Sequence, residues 1–174
     1  MRRLILSMAV IATFLTSCGN SKNAVSYTPA ENYFVNNTFQ NTKVETLKID
    51  SQADFDRIFG GATTITAHPT AIDFSKQSVL AIVAPASNKE VKIVVKALET
   101  TLTGGILVKY TIDEGKDLGH TAQSSEILIV NKTDKEVEFV QRIKNGNVDI
   151  KQLGLVGRTK EKILEELKAI YETL

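Results

Sequence analysis

Hydrophobic and polar positions along this chain follow a short period through most of its length and a long one in only two places. Tyr33-Phe34-Val35 is a brief apolar run, and Val44 to Ile49 has strand-forming character with Leu47 and Ile49 on one face. Ser78 to Ala84 (SVLAIVA) is the longest continuous apolar run after the first eighteen residues. Its length and β-branched content predict a strand buried on both faces, ended by Pro85. Val91–Lys96 and Ile106–Ile112 are two further strands, with Gly104-Gly105 as a hairpin turn between them. Glu126–Val130 and Val137–Ile143 are expected to pair as another hairpin across Asn131–Lys135.

The helical period first appears in SQADFDRIFGGA. Ser51 is placed as an N-cap, Phe55, Ile58 and Phe59 share one helix face, and Gly60-Gly61 is a stop signal. It returns in TKEKILEELKAIYETL, where Ile163, Leu164, Leu167, Ile170, Tyr171 and Leu174 form one apolar face. The expected fold is therefore mainly β (α+β): an antiparallel sheet or sandwich, one short helix at about 52–59 and a C-terminal amphipathic helix at about 160–173. Docking of that last helix on the sheet is the expected closing element.

The first residues belong to a different pattern. Met1-Arg2-Arg3 is a short basic segment, and Leu4 to Leu15 is an apolar core too short to span a bilayer. Leu15-Thr16-Ser17-Cys18 then resembles a bacterial lipobox: an aliphatic residue, two small residues and a cysteine. The resemblance implies a lipoprotein signal peptide over residues 1–17, a diacylglyceryl group on the Cys18 thiol and acylation, as by palmitate, of the amine freed by cleavage. Two or three acyl chains give stable membrane attachment where one does not. Residues 18–29 read as the lipidated Cys and a flexible tether holding the domain off the membrane, and 30–174 as a single globular domain. The alternative for the tether is an edge strand beginning at Val25 and Tyr27.

Cys18 is the sole cysteine, so the chain has no internal disulfide. Loss of Arg2 and Arg3 with the signal segment turns the formal charge of +1 into −1. With no sustained basic run, nucleic acid is not an expected partner.

Candidate chemistry is sparse. His68 and His120 both fall in expected loops, His120 within DEGKDLGHTAQSSE beside Asp113, Glu114 and Asp117. The spacing matches neither a zinc pattern nor the D-x-D-x-D-G calcium loop. Ser124 and Ser125 lack a G-x-S-x-G elbow, and neither glycine pair has the phosphate-loop G-K-[ST]. No catalytic residue, metal site or cofactor is assigned, and His68, Asp73 and His120 stand as candidate binding-loop residues. Asp73 and Ser75 in IDFS also suit a turn cap, with Phe74 as the anchor of the loop in the core.

Phe55, Phe59, Asp73, Phe74, Ser75 and Val79 carry a resemblance to the C-terminal domain of the PrcB-like family, over Phe55 to Val95. The turn Pro85 to Lys89 departs from that family's Gly-rich turn. The resemblance implies a non-catalytic lipoprotein that supports or restrains a surface protease complex. The whole pattern also looks like uncharacterised lipoproteins of Bacteroidetes. The expectation is a non-enzymatic domain that binds a protein partner, lipid-anchored in a bacterial envelope at the outer membrane. Two alternatives are a small-ligand carrier, with a pocket lined by Phe55, Phe59 and the Leu167 face, and a hydrolase using His120.

Overall fold

In the computed structural model, which describes residues 23–142, the apolar run lies at the centre of the molecule. Strand β5 (Gln77–Val83) is buried from Ser78 onward. Its side chains alternate between two cores: Leu80, Ile82 and Ala84 enter one, and Val79, Ala81 and Val83 enter the other. This explains why no polar alternation marks the strand, since a strand covered on both faces has no solvent side.

The sheet holding β5 has the order β1-β8-β5-β3, with β1 at Thr28–Pro29, β3 at Glu45–Ile49 and β8 at Ser125–Asn131, all antiparallel. On one face lies a second sheet, β6-β7-β9, with β6 at Ser87–Thr100, β7 at Ile106–Ala122 and β9 at Val137–Gln141. Ile93, Leu98, Ile106, Val108 and Tyr110 of that sheet meet Leu80, Ile82, Leu128 and Val130. The other face is covered by helix α1 (Gln52–Ile58) and a two-stranded ribbon of β2 (Tyr33–Val35) and β4 (Phe59–Gly61). There Phe55 is the hub: its ring centroid lies 5.0 Å from those of Tyr33 and Phe59 and 5.7 Å from that of Phe74. The domain is thus mainly β, three layers deep, with a single short helix among the described residues.

Helix α1 begins as its sequence predicts. The Ser51 hydroxyl accepts from Asp54 N–H at 3.2 Å and donates to the Asp54 carboxylate at 2.6 Å. Its end differs from expectation: Gly60 and Gly61 do not stop the helix in a turn but continue as β4. The reason is steric. A Cβ on Gly60 would lie 2.5 Å from Phe34 Cζ, and one on Gly61 would lie 2.7 Å from Pro69 Cγ. The ribbon closes at these distances because neither position carries a side chain.

Three other expectations are corrected. First, the tether does not extend to residue 29. Val25 N–H donates to Leu98 O at 2.8 Å, Thr100 N–H donates to Asn23 O at 2.7 Å, and Thr28–Pro29 pair with β8. Val25 and Tyr27 pack on the core, and the open edge of β6 supplies the backbone partners, so the segment gains more by pairing than by staying free. Second, β8 and β9 are not a hairpin. β8 pairs with β5, whereas β9 crosses to the other sheet and runs parallel to β7, Ile106 opposite Val137. Ile127 to Val130 are all buried, which demands a central strand with both faces covered. Third, the stretch around His120 is not a free loop, because β7 continues through it to Ala122, opposite Ser87, across a series of β-bulges. The Gly104-Gly105 hairpin forms as read, with Gly104 at φ 83. The C-terminal helix (160–173), Leu167 and Cys18 with its signal segment lie outside the described residues.

Candidate functional site

The three candidate binding residues do not converge. Asp73 immediately precedes β5 and its bonds are local. Its carboxylate accepts from Ser75 N–H at 3.0 Å and from the Ser75 hydroxyl at 2.5 Å, and Lys76 lies 3.2 Å away. These hydrogen bonds, the Ser75 hydroxyl first, hold its carboxyl below the usual range. Asp73 O also accepts from Lys76 and Gln77 N–H, so the residue caps the turn into the strand. His68 is exposed in the loop before β5, with its carbonyl accepting from the Asn32 amide at 2.9 Å. His120 is exposed near the far end of β7, its Nδ1 3.0 Å from Leu118 O. Asp73 and His120 therefore stand at opposite ends of the strands, since β7 near His120 pairs with Ser87, just past the end of β5. Among the described residues no group of three His, Cys, Asp or Glu side chains is placed to hold a metal.

Among the described residues, a concave surface lies elsewhere, at the end of the sandwich where β5 ends, β6 begins and β9 ends. Two adjoining hollows share Ala86. One, of about 550 Å³, runs between the Asn37–Thr42 strap and Thr121–Gln123. The other, of about 440 Å³, has Val44, Pro85, Val91 and Ile112 as its apolar lining, with Lys43 and Glu114 among its charged residues and Gln141 as its neutral amide.

Each wall has an identifiable cause. The strap is held by Asn41, whose amide donates to Val83 O at 3.1 Å and to Lys43 O at 2.6 Å. The Gln123 amide donates to Asn41 Oδ1, and to Ala84 O at 3.2 Å. This pair of side-chain amides ties the strap to the β5–β6 crossover and lines the larger hollow. Val91 and Ile112 continue the inward rows of β6 and β7 past the point where the core closes. Glu114 is held by Lys89 at 3.0 Å.

Gln141 is the notable member. It sits opposite Tyr110 in the parallel β7–β9 register, which puts it at the end of the inward row Val137, Phe139, Gln141. Its side-chain oxygen is buried and has no hydrogen-bond partner among the described residues. Burial pushes the neighbouring Tyr110 phenol up to about 12, so that group stays neutral. The hollow thus has an apolar floor, with an unmet acceptor buried beside it. Such an acceptor is costly to leave unmet, and a bound N–H would satisfy it once the Gln141 side chain turns toward the hollow.

Nothing in the sequence singled out these residues. The strap between Asn37 and Val44 has no motif, and Gln141 reads as one more polar position on a strand. The missing signal was the parallel partner of β9, which alone determines that Gln141 faces inward. Comparison with family models, with curated proteins and with solved structures finds no match to this chain. The description that fold and site permit is a three-layer β domain with a grooved end.

Proposed function

We propose that this chain is a non-enzymatic accessory domain of a bacterial envelope, anchored at the outer membrane by lipid on Cys18, that binds a segment of a protein partner in the groove at the open end of its sandwich. The observation that carries this reading is the buried, unpartnered Gln141 oxygen beside an apolar hollow. An extended peptide supplies what that site lacks: backbone N–H donors, with apolar side chains at alternate positions for Val44, Val91 and Ile112. Lys43 and Glu114 add charges of both signs, which select register more than they add affinity. The resemblance of Phe55–Val95 to PrcB-like domains makes a protease complex the first partner to seek.

The test places a photoreactive residue at Ala86, which is exposed and shared by both hollows, in the full-length chain in its native envelope. A discrete crosslinked adduct is expected. It should weaken in Gln141→Leu and be missing when the photoreactive residue is moved to Lys92, on the other face of the sheet. Equal crosslinking from both positions, or none from Ala86, defeats the groove reading. Membrane fractionation of Cys18→Ala tests the anchor: release into the soluble fraction supports it, and unchanged fractionation refutes it.

A further inference from the structure

Asn23 is where the described chain begins, and its pairing sets a direction. Ala24 bridges Glu99 in antiparallel sense, and Thr100 N–H donates to Asn23 O at 2.7 Å. The backbone arriving at Asn23 therefore comes from the side of the β6–β7 hairpin tip, Thr101 to Gly105. Only Gly19 to Lys22 separate Cys18 from Asn23. Fully extended, these five steps reach no more than about 18 Å. A lipid on Cys18 thus holds this end of the domain close to the bilayer. The groove residues Val91 and Ile112 lie about 20 Å further along the hairpin, six residues beyond Ile106 on β7.

Among the described residues, the tip is one of two places where a large apolar residue is fully exposed, the other being Ile65 in the loop before β5. Leu102 is fully exposed, at 106%. Two backbone hydrogen bonds close the tip: Thr101 N–H donates to Gly105 O and Gly104 N–H donates to Thr101 O, both at 3.0 Å. The Thr101 and Thr103 hydroxyls bond each other at 3.0 Å. Each bond made within the turn lowers the cost of bringing those groups to the headgroup level, where water still meets the rest. The Asn131–Glu136 loop lies beside it, through Ile106 N–H donating to Glu136 O at 2.8 Å. That loop carries Lys132 and Lys135 against Asp134 and Glu136, so its charges cancel.

We propose that the β6–β7 hairpin tip is the membrane-facing end of the domain and seats Leu102 among the lipid headgroups and upper acyl chains. The proposal rests on the lipid anchor at Cys18 advanced above. It gives the short leash a consequence: the domain stands on its hairpin with the groove turned toward the partner.

The experiment uses the purified full-length lipidated chain in vesicles of phosphatidylethanolamine and phosphatidylglycerol that contain a nitroxide-labelled lipid. Cys18 is blocked by its thioether, so Leu102→Cys and Ala86→Cys each carry one reactive thiol for an environment-sensitive fluorophore. A blue shift and strong quenching at position 102, with neither at position 86, is the expected result. The quenching should persist in high salt, because no net charge drives the contact, and should be lost at Thr103→Cys when Leu102→Asp is added. Equal quenching at positions 86 and 102, or none at 102, overturns the proposal. Mass spectrometry of the same preparation separates the two readings. An acylated Cys18 with an unquenched tip overturns this proposal alone, and a Cys18 without acyl chains overturns both.

Discussion

Replacing Ser78 by Ala tests whether one buried hydroxyl ties three strands together. Ser78 is 0% exposed, at the start of β5. Its hydroxyl donates to Asp50 Oδ1 at 2.6 Å, just past β3, and accepts from Thr133 N–H at 3.3 Å, just past β8. Asp50 is also paired with Lys48 at 3.1 Å and Lys132 at 3.4 Å, and its carbonyl accepts from Lys132 Nζ at 2.8 Å. A hydrogen bond to a charged group contributes about 1.5–3 kcal/mol. The Asp50 side chain is 43% exposed and keeps both lysines, so water replaces part of what is lost. That places the expected cost of Ser78→Ala in the lower half of the range, about 1.5–2 kcal/mol. At this chain length the melting temperature should fall by roughly 3–8 °C.

The pH dependence of that loss identifies its origin. Burial pushes the Asp50 carboxyl up, but hydrogen bonds from Ser78 and Lys48, with the Lys48 charge and Lys132, outweigh it and leave the group below 3.8. A depressed carboxylate contributes stability that is present above its unfolded value and lost as pH falls through the folded one. The gap between wild type and Ser78→Ala should therefore be constant near neutrality and narrow as the pH drops below about 4. Urea unfolding at pH 7 and at pH 3 measures both quantities. Ser75→Ala, which removes an exposed hydroxyl bonded to Asp73 at 2.5 Å, is the control and should cost no more than about 0.5 kcal/mol. A Ser78→Ala loss no larger than the control's, or one that does not change with pH, would refute the latch.

Two further predictions follow from the packing. Gly60→Ala brings a Cβ within 2.5 Å of Phe34 Cζ and 2.9 Å of Asn36 Oδ1, and should cost about 1–3 kcal/mol by overpacking. Adding Phe34→Ala should recover roughly 1 kcal/mol or more of that loss, so a double-mutant cycle by urea unfolding that proves additive would contradict the geometry. Glu126, on β8 opposite Ile82, has its carboxyl raised by burial. Its charged form is disfavoured in the fold, so its destabilising contribution sets in as pH rises through the carboxylate range. Glu126→Gln should stabilise the protein at pH 7 by on the order of 1 kcal/mol or less and make no difference in acid, as thermal melts at the two pH values will show.

What the sequence reveals here depends on how local the cause is. The Ser51 cap, the helix that carries Phe55 and Ile58, the buried β5 and the Gly104-Gly105 turn are each written within a dozen residues and form as read, although Phe59, expected on the same helix face, already belongs to β4. The failures are all matters of pairing across distance. Val137–Gln141 has the composition of a hairpin partner for β8, and only the crowding of β8 between β5 and β1 sends it to β7. Asn23–Tyr27 is polar enough to pass for a leash, yet an edge of β6 lies open beside it. Gly60 and Gly61 signal a break, but what they provide is room for Phe34 and Pro69. The groove inherits this problem, because every residue that gives it character is placed by a long-range partner.

Those same pairings give the domain two unlike ends. The long β6–β7 hairpin runs from a tight turn to a base where the sandwich is open. At the tip, two backbone hydrogen bonds close the turn and Leu102 stands fully exposed. At the base, inward rows of side chains run on beyond the core, to Val91, Ile112 and Gln141, and leave a buried acceptor unmet. The order of the chain says which end the proposed anchor would reach. Because residues 23–25 pair antiparallel with the end of β6, a leash from a lipid on Cys18 would meet the tip before the groove. With that anchor, reversing this one pairing would turn the groove toward the bilayer and the tip toward solvent. On this proposal the few backbone bonds of Asn23 to Val25 orient the groove, and the segment that reads as a spacer becomes the element that sets the direction of the site.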